Sequence, residues 1–407
     1  MLAAFRVRSF RFQWPADLLT SWAFEMETLI LGWYVLVETD SVVSLALIGS
    51  LHFLGTLVAP LIGVAGDRIG RRAVMCMMRT TYAGLAVAMM VFGLTDTLTP
   101  NHVFAIAFLA GLVRPSDISM RNALIGDSMP PGGLTNAMGL SRTTQDSARV
   151  AGALLGAGLL STLGIGPSYI AIAGFYAASL ALTFGVTRYR PGAEPNEADG
   201  SPAKPVMSPW RDLLDGIVYC WQTPKVLALM ILAFLVNLCG YPVTHGLLGY
   251  VARDIYQLDA NGFGRIVAYF AVGALAGSLT MAWLGTPRRP ERFTLMNIFA
   301  WFALVIVFGF VTDETIGCAV LVLIGVTQGV SMISLAVTLL TTVAPRFRGC
   351  IMGVRMLVVY GLPVGLMASG SIIEAIGFPA TLTIYGVTGI VLSMLVAIYY
   401  RASLWHQ

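Results

Sequence analysis

Residues 63–72 read Gly63-Val64-Ala65-Gly66-Asp67-Arg68-Ile69-Gly70-Arg71-Arg72, a charged turn set between two apolar runs, Leu45 to Val64 and Val74 to Leu94. Each run has about the 20 residues that an α-helix needs to cross a bilayer, so the turn reads as a short link between two membrane-spanning helices. Its glycines permit a tight turn and close helix approach. An acid beside several arginines can form charge pairs that break and re-form between conformations.

Similar runs continue on both sides. In the first half they lie near Asp17 to Val37, Val103 to Ser116, Leu140 to Leu163 and Tyr169 to Thr187; the one near 103–116 is short and ends at Arg114. Six more lie near Val226 to Leu248, Ile266 to Leu284, Phe293 to Val311, Ile316 to Leu339, Ile351 to Ile373 and Pro379 to Tyr400. Backbone groups in hydrocarbon must pair within their own segment, so runs of this length predict helices, whereas a barrel would alternate over strands of about ten residues. The expected fold class is an all-α membrane protein with twelve transmembrane helices. Composition agrees: of 407 residues 57% are hydrophobic and 11% charged, against roughly 25% charged in soluble proteins. This excludes a soluble enzyme, a nucleic-acid binder and a disordered scaffold, and a net charge of +4 is too small to imply an anionic partner. Cys76, Cys220, Cys239, Cys318 and Cys350 are scattered, implying neither a disulfide framework nor a thiolate metal site.

Cytoplasmic loops and helix ends collect Lys and Arg. With the N-terminus inside, 23 of the 25 fall on the cytoplasmic side, from Arg6, Arg8 and Arg11 to Arg401, leaving Arg253 and Arg265 outside. Both termini are expected in the cytoplasm. The first apolar run carries acids and no small-residue cleavage site, so it is expected to be retained rather than removed as a signal peptide. The one long polar connector is Arg188 to Pro209, rich in proline and acids. It reads as a flexible cytoplasmic linker, 188–209, between six-helix bundles at 1–187 and 210–407. Pro131 with Met138-Gly139 recurs as Pro345 with Met352-Gly353, and parallel repeats about an axis normal to the membrane are a known transporter design.

The 63–72 turn resembles the signature loop of the major facilitator superfamily, Gly-x-x-x-Asp-Arg-x-Gly-Arg-Arg/Lys. Gly63, Asp67, Arg68, Gly70, Arg71 and Arg72 fill every fixed position. Phe10-Arg11 with Trp14, the stretch Asn136 to Gly158, Asn237 with Gly240 and Pro242, and Gly273 to Ser278 are similar to the bacterial efflux branch, which includes macrolide-efflux and enterobactin-exporter-like proteins. The resemblance implies two pseudo-symmetric halves around a cavity that opens alternately to either side of a bacterial inner (plasma) membrane. It also implies export of a small organic molecule driven by proton entry, with no cofactor and no enzymatic reaction. Two departures stand out. Ala148 to Gly156 resembles the antiporter helix motif, but Ala153 occupies the place where proline is usual, which weakens the inference of antiport and keeps uptake by proton symport open. Gly285-Thr286-Pro287-Arg288-Arg289 keeps the basic residues of the second-half loop without an acid matching Asp67.

An ionisable group at bilayer depth costs several kcal/mol and is a functional candidate by default. Asp17, Ser21, Glu25, Thr28 and Gly32 recur at steps of three and four, predicting one polar stripe on the first helix, facing the cavity. Glu25 lies near the middle. A carboxyl there loses much of its hydration and can take up and release a proton as the cavity opens to each side, unless it is a helix-packing ion pair. Glu27, about 200° around the helix, cannot share that face, and an exchange of roles with Glu25 stays open. Arg142, Asp146 and Arg149 fall on one face of the fifth helix. Asp146 can neutralise either arginine, while Arg149 can pair with Glu25, bind an anionic substrate or belong to a structural triad. Arg114 and Asp117, placed at the cytoplasmic end of the fourth helix, resemble the basic position that the superfamily uses in proton coupling; snorkelling is the other reading.

The second half shows no midplane acid. Asn237, Tyr241 and His245, four apart, and Gln328 with Ser331 are candidate cavity residues, with a packing role as the alternative. His52, His102 and His406 lack metal-ligand spacing. No nucleophile–base constellation, phosphate loop or dinucleotide fingerprint stands out. A monomeric, proton-coupled exporter of an amphipathic molecule is expected, a non-transporting sensor or polytopic membrane enzyme being the readings from other classes.

Overall fold

A computed structural model describes residues 5–56, 58–129, 131–187, 209–284, 289–343 and 348–401. Helices make up almost all of them. In the first half these are α1 (Arg8–Thr39), α2 (Val42–Leu51), α3 (Ala59–Ile69), α4 (Arg71–Leu94), α5 (Pro100–Ser128), α6 (Pro131–Leu163) and α7 (Ile165–Thr183). The second half has α8 (Pro209–Gln222), α9 (Pro224–Leu235), α10 (Leu248–Tyr250), α11 (Ala260–Leu284), α12 (Pro290–Gly309), α13 (Glu314–Thr342), α14 (Arg348–Val358), α15 (Gly361–Ile376) and α16 (Phe378–Tyr399). Proline opens α5, α6, α8, α9 and α12, where its missing N–H would have no partner anyway. Three connections turn on glycines in the left-handed region, Gly70 (φ 93°), Gly164 (φ 79°) and Gly377 (φ 84°); at Gly70 this lets α3 hand over to α4 in one residue.

Among the described residues nine helices are long and apolar enough to cross a membrane. The expected spans at α1, α2–α3 and α6 fall outside that set: α1 and α6 run for 32 and 33 residues, and the span near 45–64 is divided. The sequence reading needs three corrections of geometry. The run near 103–116 is no short span, because α5 continues to Ser128; Asp117 and Arg121 pair with buried partners instead of ending the helix. The run near 45–64 is not one helix but α2 and α3 separated by a 3-10 turn at Leu54–Thr56. That break is built against α5: a Cβ on Gly55 would collide with the Leu112 carbonyl, and one on Gly111 with the Leu51 carbonyl. Third, the run near 226–248 extends to Ile255, as α9 leads through π-turns at Val236–Gly240, Val243–Leu247 and Val251–Ile255.

In the first half α1 packs on α6 and α7, and α4 on α7 and α5; in the second, α13 packs on α11 and α12, and α12 on α16. Between halves, α6 meets α11 and α2 meets α15. Small residues set these approaches, as is usual between membrane helices. A Cβ on Gly264 would strike Ala157, and one on Gly370 would lie 3.0 Å from Val43 Cα. The linker residues 188–208, and Pro345, lie outside the described residues.

Candidate functional site

A cavity of about 410 Å³ opens between the halves, within the size range of small-molecule sites. One wall comes from α1, α2, α5 and α6, and the other from the π-turn at Val243–Leu247 with α10, α11 and α14. The α1 stripe reaches it in part: Ser21, Glu25, Thr28 and Gly32 line it.

Glycine spacing on α6 positions the central pair. A Cβ on Gly152 would stand 2.5 Å from Glu25 Cβ, and one on Gly156 3.0 Å from Met26 Cα, so α6 lies directly on α1 there. Arg149, one turn from Gly152, thereby faces Glu25, with Nε 3.9 Å from Oε1. Their side chains keep 30% and 28% exposure, so both remain open to the cavity. Asp146 is partly buried on the same helix. The Arg142 side chain lies outside the described residues.

Asp17 departs from its expected place. It is buried behind the cavity wall, bonded by Arg79 and 3.5 Å from Arg121 Nε. Arg121 closes on Asp117 at 2.5 Å and donates to Ser21 Oγ at 2.9 Å. Arg79 also donates to the Thr183 hydroxyl and, at 3.4 Å, to the Ser179 carbonyl. Two acids and two arginines from α1, α4 and α5 thus form one buried cluster of zero net charge, each charge facing an opposite one. Arg79 and Arg121, counted in the sequence among the cytoplasmic-side charges, are thus buried in ion pairs rather than exposed. The sequence signals were Asp17 and Arg79, one acid and one base inside apolar runs, but nothing in the sequence joins positions 62 apart.

Arg114 also departs from its expected place. It stands at mid-helix of α5, beside Pro115 and against the cavity, rather than at a helix end. Its guanidinium lies 4.2 Å from the centre of the Phe24 ring and donates to the Phe24 carbonyl at 3.2 Å. Glu27 points away from the cavity and is buried, accepting a hydrogen bond from Tyr176 at 2.9 Å. His52 was not singled out as a cavity residue, yet it lines the chamber with Phe53. His102 stacks on Phe92 at 4.3 Å; His406 is outside the described residues.

Of the five second-half candidates, His245 lines the cavity. Asn237 donates to the Ala233 carbonyl of its own helix at 2.8 Å. Tyr241 packs edge-on against His245 and Trp301. Gln328 is buried one layer back, accepting from the cavity residue Thr244 at 3.2 Å. Ser331 is fully buried.

In the 63–72 turn, Gly63 and Asp67 fall in α3, their side chains outside the described residues, and Arg68 is exposed. A Cβ on Gly66 would lie 2.9 Å from Met120 Sδ, Arg71 donates to the Ala123 carbonyl at 3.2 Å, and Arg72 to the Phe184 carbonyl at 2.5 Å. The turn is thereby tied to α5 and to the end of α7.

At the far end from that turn, polar contacts join the halves. Arg253 donates to the Leu36 carbonyl at 2.5 Å and to Asp40 at 2.6 Å, Ser41 to Glu374 at 3.2 Å, and Ser161 to Asn261 at 3.0 Å. Nearer the middle, Tyr360 donates to the Leu54 carbonyl at 3.0 Å.

The chain has relatives of known kind. It is 27% identical over 311 residues to the enterobactin exporter EntS of Shigella flexneri, covering 74% of this chain and 68% of that protein. To the same exporter of Escherichia coli O1:K1 / APEC it is 26% identical over 316 residues, covering 74% and 69%. Among solved structures it is similar to the nucleoside transporter NupG, with a TM-score of 0.74, 15% identity and coverage of 96% and 99%. It is likewise similar to a bacterial homolog of the human lysosomal transporter Spinster in an inward-facing, unoccupied conformation, with a TM-score of 0.70, 15% identity and coverage of 97% and 95%. These likenesses establish a shared fold of transporters. The model of the Major Facilitator Superfamily matches residues 15–363, so this multi-pass membrane protein, a transporter and not an enzyme, belongs to the major facilitator superfamily.

Proposed function

We propose that the chain is a proton-driven exporter of a small amphipathic organic molecule, crossing a bacterial inner membrane twelve times with both termini in the cytoplasm. It works as a monomer in the lipid bilayer, as two six-helix bundles, 1–187 and 210–407, rocking about the cavity on a cytoplasmic linker. The contacts at Arg253, Glu374 and Asn261 close the outer end, and the 63–72 turn gates the inner one. Enterobactin-exporter relatives support export; Ala153 in place of the usual proline favours proton-symport uptake as the second reading.

The observation that carries the proposal is the Glu25–Arg149 pair, a carboxyl and a guanidinium 3.9 Å apart and both open to the cavity. Glu25 is the acid that cavity water reaches, so it exchanges the proton; Glu27, covered by Tyr176, does not. When Glu25 is protonated, Arg149 loses its ionic partner and the α1–α6 contact can rearrange, coupling proton entry to rocking. Asp146 trims the charge of the same helix face. The test is E25Q in proteoliposomes carrying a pH-sensitive dye. Folding should be intact and substrate-coupled proton movement absent, while the sign of the movement in the unaltered protein separates export from uptake. Normal coupled flux in E25Q would refute the assignment.

A further inference from the structure

Five charged side chains line the cavity: Glu25, Arg114, Asp117, Arg121 and Arg149. Four have an opposite charge in reach, since Arg121 is closed by Asp117 and Asp17, and Arg149 faces Glu25. Arg114 stands apart. Among the described residues no carboxylate comes within ion-pair distance of it, and its contacts are the Phe24 carbonyl at 3.2 Å and the Phe24 ring. The nearby acids make their direct contacts with other groups. Asp117, one turn along α5, is held by Arg121 at 2.5 Å, and Glu27 is buried and bonded by Tyr176. The uncharged polar groups on this wall, Ser21, Thr28, Thr56, Gln145 and His52, which follows α2, bring no negative charge.

A guanidinium inside a membrane protein without a counter-ion in contact is costly; Glu27 attracts it from beyond ion-pair distance, and a ring and a carbonyl offset only part of the remaining cost. Apolar side chains form much of the chamber: Phe53 on the first-half side, and Phe263, Phe270 and Val267 on the facing wall beside Thr244 and His245. We infer that the cargo is an amphipathic organic anion, its acidic group received by Arg114 and its apolar body packed against these phenylalanines. The inference rests on the transport reading above and adds the charge of the substrate. Arg114 suits the role because a guanidinium offers two parallel N–H donors to a carboxylate. An anion that fills the chamber supplies a counter-charge in direct contact, whereas a cationic cargo would meet an arginine with no carboxylate at ion-pair distance.

The experiment measures binding, not flux, so it stands or falls apart from proton coupling and direction. Purified full-length protein in detergent is titrated calorimetrically with 2-naphthoate, 2-naphthamide and 2-naphthylmethylammonium, which share a ring system and differ in charge. The naphthoate should bind at least about tenfold more tightly than the amide, a difference of about 1.4 kcal/mol. R114Q should bring that ratio close to one, R114K, which keeps the charge and loses the fork, should keep a smaller preference for the anion, and R265Q, which removes an exposed arginine, should leave it unchanged. Absence of saturable naphthoate binding would overturn the inference, as would equal or tighter binding of the amide or the ammonium. Survival of the anion preference in R114Q would overturn the assignment to Arg114. If R114Q does not fold, the comparison of the three probes on the unaltered protein still decides the charge of the cargo, and R114K its dependence on the fork geometry.

Discussion

The two halves of the molecule bury different chemistry. The interior of the first contains Asp17, Glu27, Arg79, Asp117 and Arg121, with Glu25, Arg114 and Arg149 at its cavity face. Among the described residues the interior of the second is aromatic and neutral: Trp301, Phe302, Phe308 and Phe270 are fully buried, and its buried polar contacts are hydroxyl and amide pairs such as Thr294–Ser334 at 2.5 Å and Thr244–Gln328 at 3.2 Å. Its ion pairs stand at helix ends, Lys225–Glu291 at 2.6 Å and Arg265–Glu314 at 2.8 Å, while Arg355 lies two turns into α14. Buried ions respond to the gain or loss of one proton or one counter-charge far more strongly than hydroxyl pairs do. Under the proposed mechanism this contrast would give switching to the first half, with the second as an apolar wall against which the first moves.

This contrast can be broken or sharpened by substitution. The largest effect is expected at Arg79. R79L strips Asp17 of its closest counter-charge inside the protein and should destabilise by about 3–5 kcal/mol, read as lower folded yield and an earlier thermal transition in detergent. A transition unchanged from the parent would mean that the cluster is not a structural centre of the first half. An intermediate effect is expected at the outer end, where Arg253 joins the halves through Leu36 and the exposed Asp40. R253Q should weaken that closure by about 1 kcal/mol, a roughly fivefold shift in population. Spin labels at the exposed positions Val37 and Ile376 would report it as growth of a longer-distance component; an unaltered distribution would remove Arg253 from the closure. The smallest effect is expected in the second half. T294V deletes one hydroxyl pair and should cost about 0.6 kcal/mol, near the average for membrane hydrogen bonds. A loss comparable to that of R79L would erase the distinction between the halves.

Much of the first half was legible in advance, and the misses have physical causes. Hydropathy locates helix centres well but ends them at charges, which is why the run near 103–116 stopped short of Asp117 and Arg121, two members of the buried cluster. A charge next to an apolar run reads the same whether it snorkels to water or turns inward onto a partner. The α2–α3 break was hidden for another reason: Gly55 and Gly111 read as ordinary apolar-run residues until their two backbones are brought together. In the second half, four-residue spacing placed Asn237, Tyr241 and His245 on one face, but π-turns at Val236–Gly240 and Val243–Leu247 shift that register, and His245 alone of the three lines the cavity.

The sequence by itself determined that the chain is a helical membrane protein, through the length and apolarity of its runs, and tied it to its superfamily through the turn at 63–72. These properties are local, readable from neighbours along the chain. The tertiary structure alone decided which charges meet. Asp17 finds Arg79 and Arg121, Glu25 finds Arg149, and Arg114 packs on a ring and a carbonyl, because each outcome depends on how helices are rotated and how closely glycines such as Gly152 let them approach.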